Sequence, residues 1–365
     1  MSEVLAREVF RTAALSIDVV PPPYEEVVAL ARRQRRHRWR VVAGVSAVVL
    51  AVAGLATWAA TRSSSPPEAD PVRVVVEHNP IGTPWYADGR LHLRSVAVEL
   101  PGVTDAAAAG ESVVYLDEDG AVGIVDPRGR RTILGSAPSG STVLGSGVDS
   151  WAAWLHTDES GAAVVVYSLA TDEVLATAGV STGTRLVAID QGRVYFQDDS
   201  GAYAWQAAGP GAEPERVAIG ELADVASATR VYQRGRRIEM VQPLFSVAFV
   251  RPGEGAAVSP GGSYVSSRIP GPWQPGTPYT PLLYDTRSGE PLPSGVAPDE
   301  RVVDAAFGDA GEVLYLVANL ADLQGATLDG DVGTLLVLRR CDLESRRCND
   351  VLPVRTEGSN ALFAD

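Results

Sequence analysis

The sequence predicts an all-β fold for residues 72–365, arranged as a β-propeller of six or seven blades. Three hairpins carry this prediction, each with an apolar strand, an acidic turn closed by glycine and a second apolar strand. Their turn glycines, Gly120, Gly161 and Gly201, are separated by 41 and 40 residues. A period near 40 with four strands per repeat is typical of propeller blades, and roughly 290 residues hold about seven such units. A β-sandwich, which repeats nothing at this interval, is the alternative.

Two other kinds of hairpin recur in the same region. Segments 257–267 (AVSPGGSYVSS) and 306–317 (AFGDAGEVLYLV) have the form of inner hairpins, and 165–175 and 282–292 have the form of outer hairpins. The inner pair resembles the S-P-D-G hairpin of WD40-type propellers, although the Trp-Asp dipeptide of that family is missing. The docking motif of quinone-cofactor propellers is missing too, so we predict no cofactor. Because propellers include enzymes, sensors and scaffolds, the repeat predicts architecture rather than function.

An uncharged apolar run precedes this domain at residues 41–61. As a helix it would be about 31 Å long, which matches the hydrocarbon thickness of a bilayer. Trp39 and Trp58 stand near its two ends, where indole rings favour the headgroup level. We therefore predict a transmembrane helix over 41–61. A cleaved signal peptide is the alternative, but the 40-residue leader and the length of the run favour an uncleaved anchor.

The orientation of this span follows from the charges beside it. Residues 32–40 carry six arginines, whereas the other flank offers Arg62 and then a Ser/Pro-rich stretch. Positive charge is retained in the cytoplasm. The sequence thus predicts a single-pass cell-membrane protein with a cytoplasmic N-terminal segment (1–40), a linker (62–71) and an extracytoplasmic C-terminal domain.

Charge is divided unevenly between the two sides of this span. The formal net charge is −14, and residues 1–40 contain eight arginines against five carboxylates, which leaves −17 for residues 62–365. Binding of DNA or RNA depends on neutralised phosphates. An outer domain this acidic therefore excludes a specific nucleic-acid partner.

The cytoplasmic segment has two interpretations. It is either a topology signal with a solvated stalk, or residues 1–31 are a docking peptide for a cytosolic protein that uses Leu5, Val9 and Phe10. The order of short helix, V-P-P-P-Y, Arg-rich run, single span and outer β domain resembles bacterial membrane proteins that accompany extracytoplasmic-function sigma factors. Some of those proteins are anti-sigma regulators, so the resemblance implies a sigma factor as partner. The zinc-binding motif of many anti-sigma domains is missing, since residues 1–40 contain one histidine and no cysteine.

The two cysteines, Cys341 and Cys348, align with Tyr167 and Val174 when their segment is superimposed on the outer hairpin. Facing residues of a hairpin bring their Cα atoms close enough for a disulfide. Such a bond persists outside the cytoplasm, which agrees with the predicted topology. We predict a structural disulfide rather than a metal site, because a metal needs further ligands.

Motifs for catalysis or metal binding are weak. The acidic hairpin turns and the aspartates of the loop 320–333 could supply oxygens to Ca²⁺, but Asp-Gly is common turn chemistry. The three outer histidines are far apart in sequence, and no G-x-S-x-G or H-E-x-x-H motif occurs. We therefore predict no catalytic residue, no metal ligand and no enzymatic activity.

The stretch 266–283 is unusual because five prolines and two aromatic residues interrupt a blade between its second and third strands. Trp273 and Tyr279 make it a candidate recognition loop. A lid over a propeller edge is the alternative.

Together these features predict a membrane-anchored extracytoplasmic propeller that binds or senses an envelope ligand and relays to a cytosolic partner. A structural envelope scaffold and a propeller hydrolase are the alternatives.

Overall fold

The computed structural model describes residues 73–209, 212–218, 220–242, 247–271, 277–308, 311–323, 334–356 and 361–364. The predicted cytoplasmic segment, span and linker lie outside these residues and stay predictions. Within the described ranges, no helix is long and apolar enough to cross a bilayer.

The described chain folds into seven antiparallel sheets, which are the blades of a propeller. Blade 1 contains β1 (Val74–Val76), β2 (Trp85–Ala87), β3 (Arg90–His92), β4 (Val96–Glu99) and β29 (Leu362–Phe363). Blade 2 contains β5 (Val103–Ala109), β6 (Ser112–Asp117), β7 (Ala121–Val125) and β8 (Arg131–Ser136). Blade 3 contains β9 (Val143–Ser146), β10 (Trp151–Asp158), β11 (Gly161–Ser168) and β12 (Glu173–Val180).

The remaining blades repeat this four-stranded pattern. Blade 4 contains β13 (Arg185–Asp190), β14 (Arg193–Asp198), β15 (Gly201–Trp205) and β16 (Glu215–Ala218). Blade 5 contains β17 (Glu221–Ala226), β18 (Thr229–Arg234), β19 (Arg237–Gln242) and β20 (Val247–Pro252). Blade 6 contains β21 (Glu254–Val258), β22 (Tyr264–Arg268), β23 (Pro281–Asp285) and β24 (Pro291–Leu292). Blade 7 contains β25 (Glu300–Phe307), β26 (Glu312–Asn319), β27 (Thr334–Asp342) and β28 (Arg347–Thr356).

The ring closes in blade 1, which takes strands from both ends of the described chain. Its order is β1-β4-β3-β2-β29, so the C-terminal β29 is the innermost strand and the N-terminal β1 the outermost. Phe363 pairs with Trp85, and Leu362 pairs with Tyr86. The Phe363 side chain is 2% exposed and packs in one cluster with Trp85 and with Leu316 of blade 7. This strand therefore joins the last blade to the first.

The hydrophobic core lies between neighbouring blades, because each strand directs alternate side chains to the two faces of its sheet. Between blades 3 and 4, for example, Leu155 and Val164 pack with Leu186 and Phe196. Both faces of β6, β10 and β26 are covered over most of their length, which is why these strands read as nearly continuous apolar runs.

The predicted propeller architecture and its hairpins are confirmed. The three spaced hairpins are the second and third strands of blades 2, 3 and 4, and the inner and outer hairpins pair as expected. The expected range of six or seven blades resolves to seven. Cys341 and Cys348 face each other across β27 and β28 and form a disulfide.

Candidate functional site

The turns between second and third strands that the structure describes lie on one face of the ring, since the blades repeat the same antiparallel order. We call this the hairpin face. An open groove of about 430 Å³ lies near it, between blades 3 and 4. This volume falls in the range of small-ligand sites. We call it the 3–4 groove; its lining residues are Ser160, Gly161, Ala162, Gly179, Val180, Ser181, Phe196, Asp198, Tyr203 and Pro214.

An aromatic pair forms the blade 4 wall of the 3–4 groove. Phe196 on β14 and Tyr203 on β15 stack with ring centroids 5.5 Å apart and 16° between their planes. Phe196 is buried in the core between the blades, whereas Tyr203 is half-buried. The Tyr203 hydroxyl lies 2.6 Å from the Ser200 hydroxyl. This bond holds the phenol ring at the rim of the groove.

Carboxylates lie near the aromatic pair; one accepts hydrogen bonds from neighbouring serines, and two others are exposed to solvent. Asp198 accepts hydrogen bonds from the Ser200 amide and hydroxyl at 2.8 and 2.7 Å and from the Ser181 hydroxyl at 3.1 Å. The Ser200 hydroxyl is the main cause of a lowered pKa for this carboxyl, so the group is an anion at neutral pH. Glu159 and Asp199 occupy the tips of the two hairpin turns and are exposed. Arg216, which pairs with Tyr203, donates to the Ser200 carbonyl and brings one positive charge to this rim. Asp158, Glu159, Asp198 and Asp199 outnumber it, so the rim is net negative.

A serine, an aspartate and a histidine meet at the same rim, but in an order unlike that of a hydrolase. Asp158 accepts a hydrogen bond from the Ser160 amide at 2.7 Å, and its other oxygen lies 3.6 Å from His156 Nε2. In a Ser-His-Asp triad the imidazole lies between the hydroxyl and the carboxylate and takes the hydroxyl proton. Here the carboxylate lies in the middle. This arrangement caps the turn and does not activate Ser160.

A second set of carboxyls lies on the inner strands. Asp105 on β5, Asp224 on β17 and Asp304 on β25 each follow a β-bulge. Each accepts an N–H from the next inner strand, at 2.7 Å from Val143, 2.6 Å from Val258 and 2.7 Å from Phe363; we call these three aspartates the inner aspartates. These three hydrogen bonds therefore link the inner strands of neighbouring blades around the central channel of the propeller.

Burial is the main cause of the raised pKa values of the inner aspartates. Desolvation raises the pKa of Asp105 and of Asp224 to about 6, against the opposing effect of the N–H bonds they accept. It raises the pKa of Asp304 to about 7, to which the charge of Asp105 adds. Sequence reasoning missed these residues. Their positions differ by 119 and 80 residues, close to three and two repeats of 40, and this spacing was the available signal.

The long connection between β22 and β23 of blade 6 forms a bridge to β25 of blade 7 at Tyr279, before the chain continues into β23. The amide of Tyr279 donates to the Val302 carbonyl, and the amide of Val302 donates to the Tyr279 carbonyl, both at 2.8 Å. Because β26 occupies one edge of β25, these bonds use the edge that faces the channel. The Tyr279 side chain is half-buried and packs with Tyr315 and its neighbours in the core between blades 6 and 7.

The predicted site residues are thus found at different places. Tyr279 is anchored on blade 7, and the disulfide of Cys341 and Cys348 lies beside Ser294. Trp273 and the proposed docking residues Leu5, Val9 and Phe10 lie outside the described residues. Among the described residues, no group of three or more potential metal ligands is present.

Comparison with known proteins finds structural similarity at low sequence identity. No family model and no curated protein matches the chain. The dihydro-haem d1 dehydrogenase NirN in complex with DHE has a TM-score of 0.49 at 13% identity, over 82% of this chain and 78% of that one. A chain of a mitotic checkpoint complex has a TM-score of 0.49 at 12% identity, over 87% and 91%. Hsv2 of Kluyveromyces lactis has a TM-score of 0.42 at 8% identity, over 69% and 98%.

Proposed function

We propose that this chain is a non-catalytic binding propeller, held outside the cytoplasm by a transmembrane helix at 41–61. The apolar run, the arginines before it and the disulfide beyond it support this topology. The 3–4 groove carries the binding role, because it joins an aromatic wall to a negatively charged rim.

The chemistry of the groove selects a class of ligand. A cation over the face of a tyrosine is attracted by the ring, and carboxylates beside it add to that attraction. The groove therefore fits a ligand with an apolar body and an amine or guanidinium group. The order of Ser160, Asp158 and His156 gives no support to the hydrolase alternative.

Binding to the groove is testable with a pair of isosteric probes. N-acetyl-arginine amide carries a positive charge, and N-acetyl-citrulline amide has nearly the same shape without it. We expect calorimetry to show binding of the arginine probe only, and loss of at least about tenfold in affinity for Tyr203→Ala, which removes the tyrosine ring of the aromatic wall. Asp199→Asn should weaken binding by a smaller factor.

Asp119→Asn is the matched control, because Asp119 occupies the equivalent exposed turn in blade 2 and does not line the groove. Equal binding of both probes would contradict the proposed ligand class. Equal losses for the blade 4 and blade 2 variants would contradict the proposed location.

The cytoplasmic segment supplies the second half of the proposal, which is relay to a cytosolic protein of the sigma-factor class. Full-length protein captured from membranes should retain a specific cytosolic partner. A variant with Leu5, Val9 and Phe10 changed to Asp should lose that partner and keep its place in the membrane. If both proteins retain the same material, residues 1–31 are a topology signal and the relay is wrong.

A further inference from the structure

The outermost strand of blade 1 exposes three consecutive valines. Val74, Val75 and Val76 of β1 are 42%, 37% and 89% exposed, so both faces of the strand reach solvent. Blade 1 is the one described sheet with a fifth strand, and β1 forms its outer edge. Exposed apolar edge strands are sites of pairing with another strand, and soluble propeller blades ordinarily protect them.

The hydrogen bonds of β1 show which backbone groups are free. Towards β4, Arg73 accepts from the Glu99 amide at 3.0 Å, and the Glu77 amide donates to Ser95 at 3.2 Å. Hydrogen-bonded pairs alternate along an antiparallel ladder, so Val75 also bonds towards β4. The N–H and C=O groups of Val74 and Val76 therefore point to the outer edge. Among the described residues, no backbone group pairs with that edge.

This edge is complementary to itself. If two copies of β1 pair antiparallel with Val75 on the twofold axis, Val74 of each copy lies opposite Val76 of the other. All four free groups of each copy then form hydrogen bonds. The same register places Arg73 opposite Glu77 of the second copy, and opposite charges across a pair stabilise a sheet.

Other registers lose this match. The two nearest registers that keep the hydrogen-bond alternation place Arg73 opposite Val75 or Asn79. Arg73 and Glu77 also have the exposure needed to reach a partner, at 73% and 45% of their side chains. Charge and backbone pattern therefore select the same alignment.

We propose that the chain forms a homodimer through antiparallel pairing of its β1 strands, with Val75 on the twofold axis. The interface is isologous, as closed dimers require. The proposal is independent of the proposed function, because it involves neither the 3–4 groove nor residues 1–31.

Disulfide trapping of the full-length protein tests this dimer. The two native cysteines are bonded to each other, so Val75→Cys supplies the one free thiol. Facing residues of this kind of pair have Cα atoms about 4.5 Å apart, which suits a disulfide. We expect mild oxidation to give dimers on a non-reducing gel at least about tenfold faster for Val75→Cys than for Val76→Cys.

The comparison with Val76→Cys separates a specific dimer from random collision. In the proposed register the two copies of residue 76 lie diagonally, roughly 8 Å apart, which exceeds the reach of a disulfide. Exposure alone would favour Val76, which is 89% exposed against 37% for Val75. Cross-linking of Val76→Cys at the same or a faster rate would therefore overturn the proposal. Val148→Cys, 93% exposed in the turn between β9 and β10, gives the collisional rate.

Charge exchange tests the register. In the Val75→Cys background, Arg73→Glu or Glu77→Arg should lower the rate of dimer formation roughly fivefold, because each creates two like-charge pairs per dimer. Combining the two substitutions should restore it. Within one chain, Arg73→Glu loses the contact with Glu99, Glu77→Arg loses the contact with His92, and the combined variant loses both. Failure of the combined variant to recover would overturn this alignment.

Discussion

Replacement of Asp304 by asparagine should change how the stability of the propeller depends on pH. The carboxyl is buried, and its pKa in the fold is about 7, well above its value near 3.9 in an unfolded chain. A group with a raised pKa in the fold stabilises the protein at low pH, where it is protonated in both states. That stabilisation is lost as pH rises through the folded value.

The size of the effect follows from proton occupancy. Between about pH 5 and pH 7 the unfolded chain has already released this proton, whereas the folded protein still holds most of it, so ionisation of Asp304 lowers the free energy of unfolding by about 2 kcal/mol. The amide introduced by Asp304→Asn cannot ionise, and its oxygen can still accept the Phe363 N–H. The variant should therefore lose about 2 kcal/mol less than the native protein over this interval.

Urea unfolding of the full-length protein at both pH values, followed by tryptophan fluorescence, measures this difference. Asp119→Asn is the control, because it removes a carboxylate from an exposed turn. An equal pH dependence for Asp304→Asn and the native protein would refute the buried, protonated state of Asp304.

Three further substitutions test the packing of the ring, each by urea unfolding. Phe363→Ala should lower the free energy of unfolding by about 3–5 kcal/mol, because it empties the core where β29 closes the ring, and a loss under 1 kcal/mol would contradict that closure. Arg339→Met should cost roughly 2–3 kcal/mol, because Glu300, which receives two hydrogen bonds at 2.6 and 2.9 Å from Arg339, is left partly buried without its partner. Replacement of Cys341 and Cys348 by serine should cost about 2.5 kcal/mol through the loss of a short cross-linked loop, and no change would show that the bond adds nothing to stability.

Local signals made the blades predictable from sequence. Each hairpin carries an acidic turn closed by glycine, and Gly120 adopts φ of +80°, a conformation that favours glycine. The disulfide was predictable for the same reason, since Cys341 and Cys348 flank a turn whose counterpart had been identified in blade 3.

The closing strand and the site could not be predicted in this way. Strand β29 has two residues and no resemblance to the repeat. The hydrogen bond that ties it to blade 7 joins Asp304 and Phe363, which are 59 positions apart in the chain. The 3–4 groove exists only because two sheets pack side by side, so its residues are scattered from Ser160 to Pro214 with no common motif. Contacts between blades have no local pattern in the sequence.

A measurement of the proposed membrane topology tests the account most directly. A membrane-impermeant maleimide should label Val148→Cys in intact cells, because this residue is 93% exposed on a propeller that we propose lies outside the cytoplasm. Ser2→Cys, in the proposed cytoplasmic segment, should be labelled only after the cells are permeabilised. Labelling of Ser2→Cys in intact cells, with Val148→Cys protected, would contradict the proposed orientation, and recovery of the protein in the soluble fraction would contradict the anchor.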